Sequence, residues 1–376
     1  MSDTKNHTGY TLITAILPKE SAKNILDKAL SIKISTNIII NARGTLYRDK
    51  WYQKFTPSIV PENTIFELLV PENLVQLIMD RISVGAGLHE GKRGAVFCMQ
   101  CSHAIFMQPG VFPETLTIEK IQETPINYNN HLTAIYCIIQ KGMAEKVAIA
   151  AIQAGSPEPT IVYGQGEGGL RDKVGILRIA ISPEKELIRV VVDHYDAEPV
   201  FEAMVKHGKL DTPGMGYIYL LPVEKGIINM TAVTKGNQEL ASRYQMIKAI
   251  DELKGSSAWR IKNGSEKNNK RKFLTNLYRL NCVVEKGKGD KLIETAMQAG
   301  APGASITYGL DGGAVIQKQH SSLSVYREME VIELTMRSEK FEPVLSAMIQ
   351  AAKDDGNNDA YFYSQVMPKA LTFVGE

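Results

Sequence analysis

Cysteine, long apolar runs and a net charge of either sign are all scarce in this sequence of 376 residues. Against 43 Lys and Arg stand 41 Asp and Glu. No overall field therefore draws the chain to nucleic acid or to an anionic membrane surface. No apolar stretch nears the roughly 20 residues that cross a bilayer, and residues 1–7 are polar, with no apolar leader. The expectation is a cytoplasmic protein with no membrane insertion and no nucleic-acid partner. Four cysteines are too few for a disulfide framework at this length. Two of them lie in apolar strand patterns, as buried thiols of a reducing compartment do. The seven histidines are scattered, and none stands with an Asp and a Ser or Cys in a nucleophile setting. With no acid, base or nucleophile set, the chain is expected not to be an enzyme.

What the sequence does have is length and repetition. The chain is long enough for two or three domains of roughly 100 to 150 residues, each with its own core. A shift of 145 carries Cys137 onto Cys282, Lys141 and Gly142 onto Lys286 and Gly287, and Gly155 and Pro157 onto Gly300 and Pro302. Tyr163 and Gly164 fall on Tyr308 and Gly309 by the same shift, and Glu198, Pro199 and Val200 recur at 342–344 after one deletion. Repetition at such a period marks one structural unit written more than once.

A more diverged copy precedes these two. Strands are expected at 10–17, 37–42, 64–70 and 95–98, with helices at 21–31 and 71–82. The middle copy reads as strands at 131–140, 160–163, 187–193 and 217–221, with helices at 144–153 and 198–207. Element order is the same in each, βαββαβ, the ferredoxin-like pattern, in which helices cover one sheet face and leave the other to be covered by something else. The fold class expected is α+β: three tandem ferredoxin-like units forming an intramolecular pseudo-trimer. Units are expected at 8–101, 131–233 and 277–376. Residues 102–130 form a connector read as an extended strap, and 234–276 a linker with a helix at 238–254 and a basic run beyond it.

The densest turn chemistry lies between a helix and a strand of the middle copy. Gly208, Lys209, Asp211, Thr212, Gly214 and Gly216 fall within nine residues, so the backbone turns tightly and can aim N–H groups at an anion. These six, with Gly164, Gly166 and Arg171 of the loop after the second strand, are the candidate effector-binding residues. A tight connection with no ligand is the plainer reading of the same glycines.

The order of the Gly208-Lys209-Leu210 turn, the Gly214-x-Gly216 step into Tyr217-Ile218-Tyr219, and Leu221-Pro222-Val223-Glu224 resembles the P-II nitrogen-regulatory family of signalling proteins. The likeness covers 131–232, extends to 277–376 through the repeat, and is architectural for 10–101. It implies a signal-transduction protein whose inter-unit clefts hold ATP or ADP, with a loop between second and third strands that docks a target, here a transport or metabolic protein. Three units in one chain imply the family's trimer fused into a monomer, because a head-to-tail threefold interface is complete after three copies. The sequence departs from the family at the phosphate-binding turn, where Met215 and Tyr217 replace an Asp and a Lys. Lys209, Arg171 and Lys173 are the charges at hand. No cofactor is certain; ATP, ADP and AMP are the candidates for a small anionic effector.

The first docking loop is the most aromatic, with Tyr47, Trp51 and Tyr52 beside Arg48, residue types that anchor protein interfaces. These three are the candidate partner-docking residues. Cys98 and Cys101 with His103 have metal-ligand spacing but only three ligands, so no metal is assigned. Two further readings remain: a structural adaptor that has lost ligand binding, and a divalent-cation-responsive protein of the same fold.

Overall fold

A computed structural model of the chain describes residues 8–28, 36–47, 61–108, 126–168, 184–230, 233–234, 243–255, 273–312 and 327–373. The first stretch holds β1 (Tyr10–Pro18), α1 (Lys19–Lys28), β2 (Asn37–Arg43), β3 (Leu46–Tyr47), β4 (Glu62–Pro71), α2 (Glu72–Gly85), β5 (Gly94–Gln100) and β6 (His103–Phe106). The second holds β7 (Leu132–Gln140), α3 (Ala144–Gln153), β8 (Thr160–Gly168), β9 (Glu184–Asp193), α4 (Ala197–Gly208), β10 (Gly216–Val223) and β11 (Lys225–Asn229). After β12 (Val233–Thr234) and α5 (Arg243–Lys254) come β13 (Leu277–Glu285), α6 (Gly289–Gln298), β14 (Gly303–Asp311), β15 (Glu328–Arg337), α7 (Ser338–Asp354), β16 (Tyr361–Met367) and β17 (Ala370–Thr372). The fold is α+β, with seven helices and a 15-stranded, antiparallel main sheet among the described residues.

Hydrogen bonding orders the strands alike in each stretch: β5-β1-β4-β2, β10-β7-β9-β8 and β16-β13-β15-β14. In chain order within a βαββαβ unit this is fourth, first, third, second, the arrangement that lets both helices cross one face. In β1 every residue from Thr11 to Leu17 is buried, and β4 is buried from Asn63 to Val70. A strand buried continuously is covered on both faces.

One cover is the helices. Ile13, Leu17 and Cys98 pack on Val75, Ile78 and Ile82 of α2; Cys137 and Ile188 on Val147, Phe201 and Met204; Cys282 and Ile332 on Leu292, Val344 and Met348. The other cover is a core shared by all three stretches, which joins Leu12 and Leu69 to Tyr136 and Leu221 and to Val283 and Tyr361. At roughly 25 cal/mol per Å² of apolar surface, burying the second sheet face of each unit is a principal stabilising contribution to the joint structure. The sheet faces turned away from the helices contribute side chains to this shared core.

Pairings between stretches run in a cycle. β6, which leaves the first stretch, pairs with β16 of the third; β17, which leaves the third, pairs with β10 of the second; β11, which leaves the second, pairs with β5 of the first. The second strands meet in the same sense: the start of β2 on the end of β14, the start of β14 on the end of β8, and Arg43 at the end of β2 opposite Ile161 near the start of β8. The segment read as a strap thus contributes β6, and the described helix of the linker is Arg243–Lys254.

Two carboxylates inside the sheet fix helix entries. Glu186 accepts from the backbone N–H of Gly142 and Ala144 at 2.8 and 3.0 Å, and Glu330 from those of Gly287 and Gly289 at 3.0 and 2.9 Å. Negative charge is favoured at a helix N-terminus, where these N–H groups lack intrahelical acceptors.

Candidate functional site

Each cyclic pairing brings the turn between the second helix and fourth strand of one unit against the trailing strand of another, making three seams. At the seam of the second unit, the predicted glycine turn closes on itself. Lys209 adopts a left-handed conformation at φ 51°, and the N–H groups of Leu210, Thr212 and Met215 donate to Val205, Lys209 and Thr212 carbonyls at 3.1, 3.0 and 3.4 Å. The Thr212 hydroxyl donates to the Lys209 carbonyl as well, at 2.7 Å. Those N–H groups are aimed at the turn's own oxygens. Gly216 has φ +150°, and a Cβ there would sit 2.2 Å from the Ile138 carbonyl oxygen. The glycine is required by strand packing. From the third unit's trailing strand, the Thr372 hydroxyl donates to the Gly216 carbonyl at 2.9 Å.

Among the remaining predicted residues, Gly208, Lys209, Asp211, Thr212, Gly214 and Gly216 are together in this turn, with Lys209, Asp211, Thr212 and Gly214 exposed. Gly164 and Gly166 lie elsewhere, on β8 opposite Thr307 and Ser305 of β14, and a Cβ on Gly164 would lie 2.6 Å from the Ile306 carbonyl oxygen. Gly164 and Gly216 occupy neighbouring rows of one sheet with two strands between them, roughly 14 Å apart at ordinary strand spacing. Arg171, Trp51 and Tyr52 lie outside the described residues. Tyr47 ends β3, which pairs in parallel with β12.

The seam of the first unit is bridged from the second. Asn229 of β11 donates through its side chain to the carbonyls of Leu88 and Lys92, at 2.8 and 3.3 Å, across the turn that follows α2.

The seam between the third and first units keeps room. A cavity of about 90 Å³ lies there, lined by Thr36, Asn37 and Gln108 of the first stretch and by Asp311, Arg327 and Asp359 of the third, among others. Arg327 donates from Nη2 to Glu285 at 3.4 Å and to Asp359. Partial burial works against its charge, but the two carboxylates outweigh this and lift its pKa further above the ordinary arginine value. The sequence reading placed no candidate residue at this seam because its turn, with Asn357, Asn358 and Asp359 before Ala360, lacks the Gly-Lys-Leu signature. The usable signal was the density of short polar side chains at the repeat-equivalent position.

Where all three stretches meet, charge is buried. Arg189 of β9 donates to Glu67 of β4 at 2.6 Å, and Arg279 of β13 donates from Nε and Nη2 to Glu333 of β15 at 3.0 and 2.7 Å. Tyr219 of β10 donates to the other Glu333 oxygen at 2.5 Å, and Arg279 Nη1 donates to Gln365 at 2.9 Å. Both guanidinium carbons lie 5.1 Å from the centre of the Tyr136 ring, within cation–π range. Burial opposes charge on both arginines, yet the facing carboxylates raise both pKa values above the ordinary one. Register gives the arrangement its meaning. Glu67 faces Thr14 on β1, Arg189 faces Tyr136 on β7 and Glu333 faces Asn281 on β13, the same position in each unit. Three identical units would carry one charge three times there.

The base of the loop that follows β2, read from the sequence as a docking loop, is also tied to the second unit. Gly44 N–H donates to the Pro61 carbonyl at 2.7 Å, closing the loop. Glu158, its side chain fully buried, accepts from Thr45 N–H at 2.9 Å and from Arg93 Nη2 at 2.8 Å, and the Thr45 hydroxyl donates to the Pro159 carbonyl at 3.0 Å. Burial raises the Glu158 pKa, against the pull of Arg93 and the Thr45 N–H. The suspected ligand trio is dispersed in role: Cys98 Sγ lies 3.9 Å from Glu224 and His103 Nδ1 lies 2.8 Å from the Ser364 hydroxyl.

No family model matches the chain, and no curated protein does. Among solved structures it is similar to an aspartate kinase from Synechocystis, at TM-score 0.22 and 10% identity over 96% of this chain and 44% of that one. It is also similar to a microcompartment protein from Desulfitobacterium hafniense DCB, at TM-score 0.18 and 9% identity over 65% of this chain and 95% of that one. The chain thus spans less than half of the kinase's length, and likenesses of this size carry no argument. No helix among the described residues is long and apolar enough to cross a membrane.

Proposed function

We propose that the chain is a P-II-like signal-transduction protein, in which three ferredoxin-like units form an intramolecular pseudo-trimer. A small anionic effector lodges at an inter-unit seam, and the loops between second and third strands dock a target protein. The observation that carries this reading is the cyclic exchange of trailing strands, each unit's last strand completing the sheet of another. A ring closed in that way leaves no spare copy of the interface, so the chain acts as a monomer. It also builds seams, and the one between the third and first units retains a cavity with a guanidinium in its wall.

The effector is a nucleotide phosphate or another compact anion that Arg327 can bind through donors other than Nη2; the carboxylates of Glu285, Asp311 and Asp359 beside that guanidinium oppose an anion, so the affinity expected is weak. Titration calorimetry with ATP, ADP and AMP tests it. Binding of one of them, weakened roughly tenfold or more in Arg327→Ala by loss of a charge-assisted hydrogen bond, is the expected result. No heat and no thermal shift with any of the three would remove the effector from the proposal.

A second reading has its own support. At two of the three seams a side chain of the trailing strand, Asn229 or Thr372, bonds to the glycine-rich turn itself, as befits a structural adaptor that keeps docking surfaces and no ligand. The same titration separates the two. A divalent-cation-responsive role would instead appear as metal bound to the purified chain.

A further inference from the structure

The junction of the three units holds more polar atoms than its own side chains satisfy. Tyr136 Oη, Arg189 Nε, Asn281 Oδ1 and Nδ2, Tyr363 Oη and Gln365 Nε2 have no hydrogen-bond partner among the described residues, and each of these five residues is 3% exposed or less. Strand register gathers them. Asn281 on β13 stands opposite Glu333 on one side and Tyr363 on the other, and Arg279, two residues along the same face, stands opposite Gln365. From the second unit, Tyr136 stands opposite Arg189 on β9 and Tyr219 on β10, and its ring lies against both guanidiniums. Leaving six such atoms dry would cost as much as the whole stability of an ordinary domain. Native structures do not carry that burden without solvent or a ligand.

We propose that this junction is a closed internal site occupied by ordered water. Three features select water over other guests. The two arginines are already matched by Glu67 and Glu333, so the site is neutral and offers an ion no net attraction. Its bare atoms include donors (Arg189 Nε, Asn281 Nδ2, Gln365 Nε2), an acceptor (Asn281 Oδ1) and two hydroxyls that are both, so the guest must donate and accept. Burial of every member closes the site to anything that would have to enter from solvent as a larger body. The side chains at this register position are unequal: where the second unit places Tyr136, the first has Thr14 and the third Asn281. Thr14 Oγ1 is itself a buried atom with no partner among the described residues, and it faces the same junction. With about three hydrogen bonds per buried water, the six atoms call for about two waters. The site does not depend on whether a seam binds an effector.

The test uses the full chain. A crystal structure that resolves ordered solvent should place about two waters within hydrogen-bond reach of the Asn281 amide and the Tyr136 or Tyr363 hydroxyl. Oxygen-17 relaxation dispersion in solution should report long-lived waters that diminish in Asn281→Leu. If that variant does not fold, Tyr363→Phe removes one bare hydroxyl while keeping the ring. Electron density without solvent at the junction overturns the proposal. So does density for a larger molecule, which native mass spectrometry of the same sample would register as added mass.

Discussion

Arg189 and Glu67 belong to different units and yet form the shortest buried ion pair among the described residues, Nη1 to Oε1 at 2.6 Å, with side chains 2% and 4% exposed. Such a pair is weak evidence for stability, because desolvation of both charges offsets their attraction. Its effect lies in what happens when one partner is lost.

Glu67→Ala should therefore destabilise the chain by about 3–5 kcal/mol, leaving Arg189 buried without its acid. The double variant Glu67→Leu, Arg189→Met should recover most of that loss. Denaturant titration of the single and double variants reads both outcomes. A single variant as stable as the parent would mean that the two groups do not meet across the junction.

Loop anchoring by Glu158 makes a separate prediction. Its carboxylate holds Thr45 N–H and Arg93, and hydrogen bonds to charged groups contribute about 1.5–3 kcal/mol. In Glu158→Ala the Thr45 amide should exchange with solvent roughly 10–100-fold faster, while amides in β13 and β15 keep their rates. Hydrogen exchange read by mass spectrometry decides it. Equal exchange at Thr45 would mean that the Gly44–Pro61 and Thr45–Pro159 hydrogen bonds hold the loop base without Glu158.

The repeat was legible because it is written in residues whose environments recur. Cys137 and Cys282 are both fully buried on equivalent strands. Gly142 and Gly287 both have φ +87°, and Gly155 and Gly300 have φ +109° and +107°. A helix read at 144–153 is found at Ala144–Gln153. The exchange of trailing strands was not legible, since β6, β11 and β17 are only four, five and three residues long and carry no pattern that names a distant partner. Glu67, Arg189 and Glu333 were missed for another reason. A charged residue alternating with apolar ones in a strand ordinarily marks a solvated face, and here that face is buried against two other units. The glycine turn drew attention to the second seam because its residues are unusual, whereas the cavity lies at the third seam behind common ones.

Four free cysteines give a pH prediction. Burial, with the Glu224 carboxylate nearby, pushes the Cys98 thiol up to about 12, and burial pushes Cys101 up to about 12. Unfolded thiols titrate near ~8.5. The folded chain therefore holds these protons where the unfolded chain has lost them, and the stability they contribute is complete below about pH 8.5 and declines as pH rises toward 12. Each thiol adds a slope of about 1.4 kcal/mol per pH unit in that window. Cys98→Ala should reduce the alkaline loss measured by denaturant midpoint between pH 9 and 11, two values chosen inside that window, by roughly one proton's share. At pH 8, native thiols should react with an aromatic disulfide reagent roughly 100-fold or more slowly than in denaturant.

The turn at 208–216 separates a structural glycine loop from a ligand cradle. Lys209 holds a left-handed conformation at φ 51° that costs an L-residue about 1–2 kcal/mol. Lys209→Gly should raise stability by up to about 1 kcal/mol once the extra freedom of unfolded glycine is counted. Gly216→Ala should lower it by about 1–3 kcal/mol, because the new Cβ meets the Ile138 carbonyl in a strand that cannot give way. If effector binding resides at the third seam, Lys209→Gly leaves nucleotide affinity unchanged while Arg327→Ala weakens it. The opposite pair of results, affinity lost in Lys209→Gly and kept in Arg327→Ala, would assign the ligand to the second unit's turn. It would also mean that the N–H groups now bonded to Val205, Lys209 and Thr212 turn outward when the anion arrives.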